Sequence, residues 1–155
     1  MGSLESISVI TENNLNRQIE EYKRILEKAQ NIIGILSIFL PLYIYFLEKS
    51  NLVIVIISII PIVLIIIGIV LMLSIMRNKS PLTFGINEDR LQVLSEKGDE
   101  EILSYNIFAN IYSISQSKIL IDRINKRFNK GLVLVIISII LSVVLLVLSI
   151  FTYSK

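Results

Sequence analysis

Two long apolar runs without a charged residue constrain this chain more than any other feature. They are Leu52–Met76 and Gly131–Tyr153. A run of about 18 or more apolar residues predicts a transmembrane helix, because in hydrocarbon a helix pairs its own backbone polar groups. An isoleucine-rich soluble core is the alternative, but the length of both runs favours the membrane. The sequence therefore predicts two full-length spans.

A third apolar run, Ile32–Leu47, is shorter but also lacks charge. It ends with Tyr43, Tyr45 and Phe46, which resemble the aromatic belt of a membrane interface, and its helix can begin a few residues earlier. Only residues 48–51 separate it from the second run, so the two helices should form an antiparallel hairpin. The predicted fold class is an all-α membrane protein with three transmembrane helices, at 32–47, 52–76 and 131–153.

The distribution of Lys and Arg predicts the orientation. Thirteen of the fifteen lie in residues 1–31 and 77–130, and the other two are Lys49 and Lys155. Because basic residues are enriched in cytoplasmic loops, both of these segments are expected in the cytoplasm and the C-terminus outside. The predicted location is the cell membrane, with the chain crossing it three times. The segment before the first span shows no signal-peptide pattern.

Both cytoplasmic segments show apolar residues at alternating spacings of four and three, which is typical of a helix that packs against a partner helix. In residues 1–31 this seam comprises Leu15, Ile19, Tyr22 and Leu26. In residues 77–130 it comprises Ile107, Ile111, Ile114, Lys118, Ile121, Asn125 and Phe128. We expect the first helix to pack along the second, which should run from about residue 101 into the third span. A helix lying on the bilayer surface is the alternative for the N-terminal segment.

Two features of the 77–130 segment leave alternatives open. Lys118 and Asn125 interrupt the second seam, where they either fix its register or lie at an exposed groove. Residues 87–98 are typical of a short helix, with Asp99 capping the long helix that follows. The alternative is a β-hairpin with arms at 91–95 and 102–105. Persistence of the seam as far as Phe128 favours the helix.

Composition excludes several kinds of chemistry. The chain has no Cys and no His, which removes zinc sites, disulfides, haem ligation and histidine-based catalysis. Tyr is the only ionisable residue in the spans, and this disfavours a membrane hydrolase or a proton-coupled transporter. The acidic residues at 88–89 and 99–101 are explained by predicted helix starts. We therefore expect no enzymatic activity, cofactor or metal, and the net charge of +2 gives no argument for nucleic acid.

The spans carry small and helix-bending residues in place of charged ones. One face of the third span has a stripe at spacings of seven, four and seven: Gly131, Ser138, Ser142 and Ser149. Such a stripe marks either a close helix contact or the lining of a pore. Pro41 and Pro61 lie within the hairpin arms, where proline removes a backbone hydrogen bond and bends a helix.

The order of these segments resembles a known family. A Glu- and Lys-rich helix ending Glu27-Lys28-Ala29-Gln30 precedes the hairpin, and the segments 111–115 (IYSIS) and 122–127 (DRINKR) lead into the last span. This layout resembles the small transmembrane effectors of bacterial antiphage signalling systems, in particular the Pycsar transmembrane effector domain. The resemblance implies a membrane-disrupting protein that is silent until infection, often controlled by a nucleotide signal. The chain departs from fuller effectors because it lacks a recognisable cyclic-nucleotide-binding domain, so no binding residues carry over.

Two functional hypotheses follow. The first is a homo-oligomeric membrane effector that permeabilises or depolarises the cytoplasmic membrane and is triggered through its cytoplasmic segment. The alternative is an accessory or immunity-type membrane protein that binds a partner protein through residues 77–130 and conducts nothing. The expected partners are the lipid bilayer, further copies of the chain, and a regulatory protein or nucleotide-signalling partner encoded nearby.

Overall fold

The computed structural model describes residues 2–48, 50–77 and 98–153. They form three α-helices: α1 (Ser3–Leu47), α2 (Leu52–Met76) and α3 (Asp99–Tyr153). Each helix is long and apolar enough to cross a membrane. The expectation of an all-helical chain with three such helices is therefore confirmed for the described ranges, and the arrangement is that of a multi-pass membrane protein.

Helices α2 and α3 begin at residues that satisfy their first backbone groups. The Asn51 side chain accepts a hydrogen bond from the Val53 N–H, and the charge-free run then continues to Met76. The Gly98 carbonyl accepts from the N–H groups of Glu101 and Ile102, at 3.0 and 3.2 Å. Asp99 is thus the first helical residue of α3, and the expectation that it precedes the helix as its cap is wrong by one position. Its charge in the first turn still complements the helix dipole.

Residues 102–105 lie inside α3. The β-hairpin alternative is therefore wrong in its second arm. Its first arm, together with the short helix expected over 87–98, lies outside the described residues except for Gly98, which precedes α3.

The chain divides into two compact units. The first, here called the two-helix unit, comprises Met1–Arg24 and Lys79–Arg123, and the second, the three-helix unit, comprises Ile25–Asn78 and Ile124–Lys155. Helices α1 and α3 each contribute residues to both units, whereas α2 belongs to the three-helix unit alone.

In the two-helix unit, the first turns of α1 and α3 lie side by side. A shallow cavity there is lined by Gly2, Leu4 and Glu5 of one segment and by Asp99, Glu100 and Leu103 of the other. Buried residues then follow along both helices: Thr11 and Tyr22 of α1, and Ile107, Ser113, Ser117 and Ile121 of α3. The two segments therefore run parallel, with a buried face on each.

In the three-helix unit, α2 runs antiparallel to α1 and α3. Tyr43 and Leu47 of α1 form a buried cluster with Ile54 of α2, and Leu146 of α3 packs against that cluster. The hydroxyl oxygens of Ser50 and Ser149 lie 2.6 Å apart at the same end of the unit. Far from this end, Gly68 of α2 meets Gly131 of α3. These contacts set the register of the three helices.

Both prolines predicted to bend the hairpin arms lie inside helices, Pro41 in α1 and Pro61 in α2. Pro41 is exposed, whereas Pro61 is fully buried. Proline lacks an N–H, so the carbonyl of Ile57 lacks the helical donor that residue 61 would otherwise supply.

Candidate functional site

Polar side chains lie in the interior of the three-helix unit, among residues that are otherwise apolar. Ser58 of α2 and Ser138 and Ser142 of α3 are fully buried, and Tyr43 of α1 is 1% exposed. Burying a hydroxyl is unfavourable unless it is hydrogen-bonded, so the partners of these four groups decide what the interior can do.

The four hydroxyls divide into two kinds. Ser138 Oγ donates to the Leu134 carbonyl of its own helix at 2.6 Å. Tyr43 Oη, Ser58 Oγ and Ser142 Oγ have no hydrogen-bond partner. Leaving a buried polar group unsatisfied costs about 1–3 kcal/mol. The three unpartnered hydroxyls, one from each helix, therefore lower the stability of the packed three-helix unit.

The register of the helices brings these three hydroxyls to one level. Tyr43 belongs to the buried cluster with Leu47 and Ile54, and Leu146 packs against that cluster. Tyr43, Ser58 and Ser142 are each four residues, or about one turn, from Leu47, Ile54 and Leu146 respectively, in the direction of the unit's other end. We call this set, Tyr43, Ser58 and Ser142, the hydroxyl layer.

Pro61 adds a polar backbone atom beside the hydroxyl layer. The carbonyl of Ile57, which immediately precedes Ser58, lacks its usual helical donor because residue 61 is proline. A helical carbonyl points toward residue i+4, which is here the fully buried Pro61, although the Ile57 side chain itself is 44% exposed. The layer therefore offers three hydroxyl groups and one carbonyl acceptor.

A close backbone approach holds α2 and α3 in this register. A Cβ placed on Gly68 would lie 2.7 Å from Val135 Cγ2 and 3.3 Å from the Gly131 carbonyl oxygen. A Cβ on Gly131 would lie 3.3 Å from the Gly68 carbonyl oxygen and 3.4 Å from Leu71 Cβ. The two glycines thus allow contact that any other residue pair would obstruct, as small residues do between transmembrane helices.

The stripe predicted on the third span lies on the face of α3 that is covered within one chain. Gly131 contacts α2, Ser138 and Ser142 are buried, and Ser149 pairs with Ser50. Of the two alternatives for the stripe, this packing corresponds to a helix contact. Ser142 and Ser138 are not available as a contact between copies while the unit is packed in this way.

Tyr43 packs differently from the two aromatic residues with which the sequence pattern groups it. Tyr43 is buried and stacks on Phe39, whereas Tyr45 and Phe46 are 54% exposed. A signal was present, because Ala29, Leu36 and Tyr43 are spaced by seven residues and all three are buried. That spacing marks one face of α1 that continues through the predicted span.

The predicted seams differ from the buried faces by one residue at several positions. Tyr22, Ile107, Ile121 and Phe128 are buried, and Leu15, Ile19, Leu26, Ile114 and Asn125 are half-buried. Ile111 and Lys118 are exposed. Ser117, Ile124 and Ile25 are buried in place of Lys118, Asn125 and Leu26. Lys118 therefore lies outside the packed face of the two-helix unit.

The predicted seam differs from the buried face because the packed face of the two-helix unit includes polar residues. Thr11, Ser113 and Ser117 are buried and Gln18 is half-buried, and a pattern built on apolar residues passes over them. Small serines permit close helix packing, and Ser113 Oγ donates to the Ala109 carbonyl of its own helix at 2.8 Å. The exposed neighbours include Phe108, Ile111 and Ile119, which form an apolar face of α3 that we call the exposed α3 face.

Burial of Tyr22 in the two-helix unit has a consequence for alkaline stability. Desolvation raises the pKa of its phenol above the ordinary value of 10.0. Above pH 10 the unfolded chain then releases the phenolic proton more readily than the folded chain, so stability falls as the pH rises. Tyr22→Phe should show a smaller loss of stability above pH 10 than the parent, measured as urea unfolding at a series of pH values. An identical pH slope in both proteins would contradict the burial of this phenol.

No family model, curated protein or solved structure matches this chain.

Proposed function

We propose that the protein is a homo-oligomeric integral membrane effector that permeabilises or depolarises the cytoplasmic membrane. The observation that carries this proposal is the hydroxyl layer. Three unpartnered hydroxyls and a carbonyl without a helical donor lie among the charge-free runs of the three-helix unit. Such atoms gain hydrogen bonds when water enters, whereas a wholly apolar interior would gain none.

The mechanism follows from this balance. In the packed state the interior hydroxyls make no hydrogen bond to the protein, so they are available to water, and this narrows the free-energy difference between the packed unit and one loosened enough to admit a continuous path of water. A hydrated path through the three-helix unit then conducts ions along neutral oxygen atoms. Movement of the cytoplasmic helices serves as the trigger, since α1 and α3 each continue from the two-helix unit into the three-helix unit.

The proposed topology places the N-terminus and residues 77–130 in the cytoplasm, as the distribution of basic residues favours. Resemblance of the layout to antiphage transmembrane effectors supports a role in defence, in which infection supplies the trigger. A nucleotide-signalling partner encoded nearby fits the same role.

Vesicle leakage tests the proposed function directly. The full chain is reconstituted into vesicles of phosphatidylethanolamine and phosphatidylglycerol that carry a potassium gradient and a potential-sensitive dye. We expect the gradient to collapse as the protein-to-lipid ratio rises, and induced expression in bacteria to depolarise the cells. Correctly inserted protein that leaves vesicles tight and cells polarised at every ratio and expression level would contradict the proposal.

A second candidate function is supported by the exposed α3 face. Phe108 is 71% exposed, and Ile111 and Ile119 are each about half exposed. An exposed apolar face outside the membrane spans is typical of a protein-binding surface. An accessory or immunity-type protein would bind its partner protein through this face and conduct nothing, whereas in the first proposal the same face is available for self-assembly.

Substitution of the exposed α3 face measures its part in assembly. Phe108→Glu combined with Ile119→Glu should leave the helical circular dichroism signal unchanged, because exposed positions tolerate substitution within about 0.5 kcal/mol. Charge repulsion and loss of apolar contact should shift crosslinked oligomers to monomers. Gln116→Glu, at another exposed position of α3, is the matched control and should assemble normally. Unchanged oligomers in the double variant would place self-assembly elsewhere.

A further inference from the structure

We propose that the hydroxyl layer is a binding site for water within the packed three-helix unit. The ligating atoms are Tyr43 Oη, Ser58 Oγ, Ser142 Oγ and the Ile57 carbonyl oxygen. The inference deepens the proposed function and rests on it for its role in conduction, because a water bound at rest is the point from which a hydrated path extends. The site itself rests on burial and hydrogen bonding alone.

Burial separates these atoms from bulk solvent, and the protein supplies no hydrogen-bond partner for the three hydroxyls. The three hydroxyls are at most 1% exposed and make no hydrogen bond, so none reaches another directly. Side chains of the described neighbours at the adjacent level, Leu47, Ile54 and Leu146, offer no polar atom. Buried waters typically make two to four hydrogen bonds to polar groups that would otherwise be unsatisfied. Three hydroxyls and one carbonyl match that number.

The charge of the site favours water over a cation. All four oxygen atoms are neutral, and the spans contain no carboxylate that could balance a bound positive charge. An uncompensated ion in a low-dielectric interior is strongly unfavourable, whereas a water molecule needs only donors and acceptors. The hydroxyl groups can each donate and accept, and the carbonyl accepts.

The serine pair at one end of the unit lies one heptad from the layer. Ser149 follows Ser142 by seven residues, or about 10 Å along a helix. The Ser50 and Ser149 hydroxyls, 2.6 Å apart, are the next polar atoms on this face. Leu47 and Ile54 of the buried cluster lie between this serine pair and the layer, so entry of water from this end requires these side chains to separate.

The direction in which single substitutions shift the unfolding equilibrium tests the water site. Ser58→Ala, Ser142→Ala and Tyr43→Phe each remove one ligand and leave the bound water with fewer hydrogen bonds. We expect each to shift the unfolding equilibrium in mixed micelles about fivefold toward the unfolded chain. The triple variant, which removes all three hydroxyls, should be less destabilised than the singles together predict. If the layer is dry, each single substitution removes an unsatisfied group and shifts the equilibrium toward the folded chain, which would overturn the proposal.

Ser37→Ala is the matched control for these variants. Ser37 lies in α1, is exposed, and donates to the Ile33 carbonyl of its own helix at 2.8 Å. Its substitution reports the change in helix propensity from serine to alanine without touching the layer. The effects of Ser58→Ala and Ser142→Ala are measured relative to it.

Cysteine reactivity gives a second readout that does not depend on stability. The chain has no native Cys, and a thiol reacts as the thiolate, whose formation requires water. In vesicles, Ser142→Cys should react with a small methanethiosulfonate reagent on the order of tenfold faster than Ile65→Cys, which is equally buried but at an apolar level. Equal rates would overturn the water site. Ion leakage is measured in separate vesicles, so the two proposals can fail independently. Equal cysteine reaction rates with normal leakage would refute the water site alone. Vesicles that do not leak, together with a fast-reacting Ser142→Cys, would refute only the proposed function.

Discussion

Gly68→Ala is expected to lower the free energy of unfolding of the three-helix unit by up to about 2 kcal/mol. The added Cβ would lie 2.7 Å from Val135 Cγ2 and 3.3 Å from the Gly131 carbonyl oxygen, so α2 and α3 must separate to accept it. A branched Val side chain cannot swing away as the end of a long chain could. The steric cost of about 1–3 kcal/mol is offset in part by the gain of about 1 kcal/mol that alanine brings to a helix interior. Unfolding in mixed micelles, followed by circular dichroism, measures the difference.

Two further variants make this prediction specific. Gly34→Ala is the control, because a Cβ there meets nothing within 4 Å and should leave stability unchanged or raise it. Val135→Ala added to Gly68→Ala removes the clashing methyl group and should recover part of the loss. Gly131→Ala should be milder than Gly68→Ala, since its shortest contact would be 3.3 Å. Equal behaviour of Gly68→Ala and Gly34→Ala would refute the close approach of α2 and α3.

The helices were predictable because long runs without charge and regularly spaced apolar residues mark them in the sequence. The charge-free run from Leu52 leads to a helix that ends at Met76, and the chain after Gly98 stays helical into the last apolar run. The start of α1 at Ser3 was not predictable from the seam, which begins at Leu15. Leu4, Ile7 and Ile10 are apolar but exposed, so no periodic burial marks the first turns.

The candidate site was predictable in part. The small-residue stripe drew attention to Ser138 and Ser142, but a stripe looks the same whether its partner is a helix of the same chain, another copy or water. Only the meeting of Gly68 with Gly131 identifies α2 as the covering helix. Two sequence patterns include Tyr43: the aromatic group with Tyr45 and Phe46, and the seven-residue spacing from Ala29 and Leu36. Only the second pattern predicts that Tyr43 is buried.

Successive residues of a helix are about 100° apart around its axis, so a predicted seam that is wrong by one residue places the buried face on a different side of the helix. The predicted and observed faces of α3 differ in this way. At Ser117 and Lys118 the apolar pattern gives no decision, because neither residue is apolar. In the structure Ser117 is buried and Lys118 is exposed, because the small serine side chain lets the helices approach and the long lysine does not. Sequence periodicity thus predicts that a face is buried more reliably than it predicts which polar residues belong to that face.

Removal of the hydroxyl layer should strongly reduce permeabilisation. The triple variant with Tyr43→Phe, Ser58→Ala and Ser142→Ala leaves the interior of the three-helix unit without the hydroxyl groups that water would bind. If each hydroxyl lowers the free energy of the conducting state by about 1 kcal/mol more than that of the packed state, their loss raises the barrier by about 3 kcal/mol and slows ion leakage on the order of 100-fold. The measurement is the rate of potassium release from vesicles at matched protein-to-lipid ratios.

The control for this variant removes serine hydroxyls that are already bonded within their own helices. Ser37 Oγ donates to the Ile33 carbonyl and Ser74 Oγ to the Leu71 carbonyl, at 2.8 and 2.6 Å. A Ser37→Ala and Ser74→Ala double variant should therefore leak at the rate of the parent. Crosslinking must show equal assembly in all three proteins. A triple variant that assembles and still leaks at the parental rate would move the conducting path from the interior of the unit to the boundary between copies, because no other buried hydroxyl of the described spans lacks a partner.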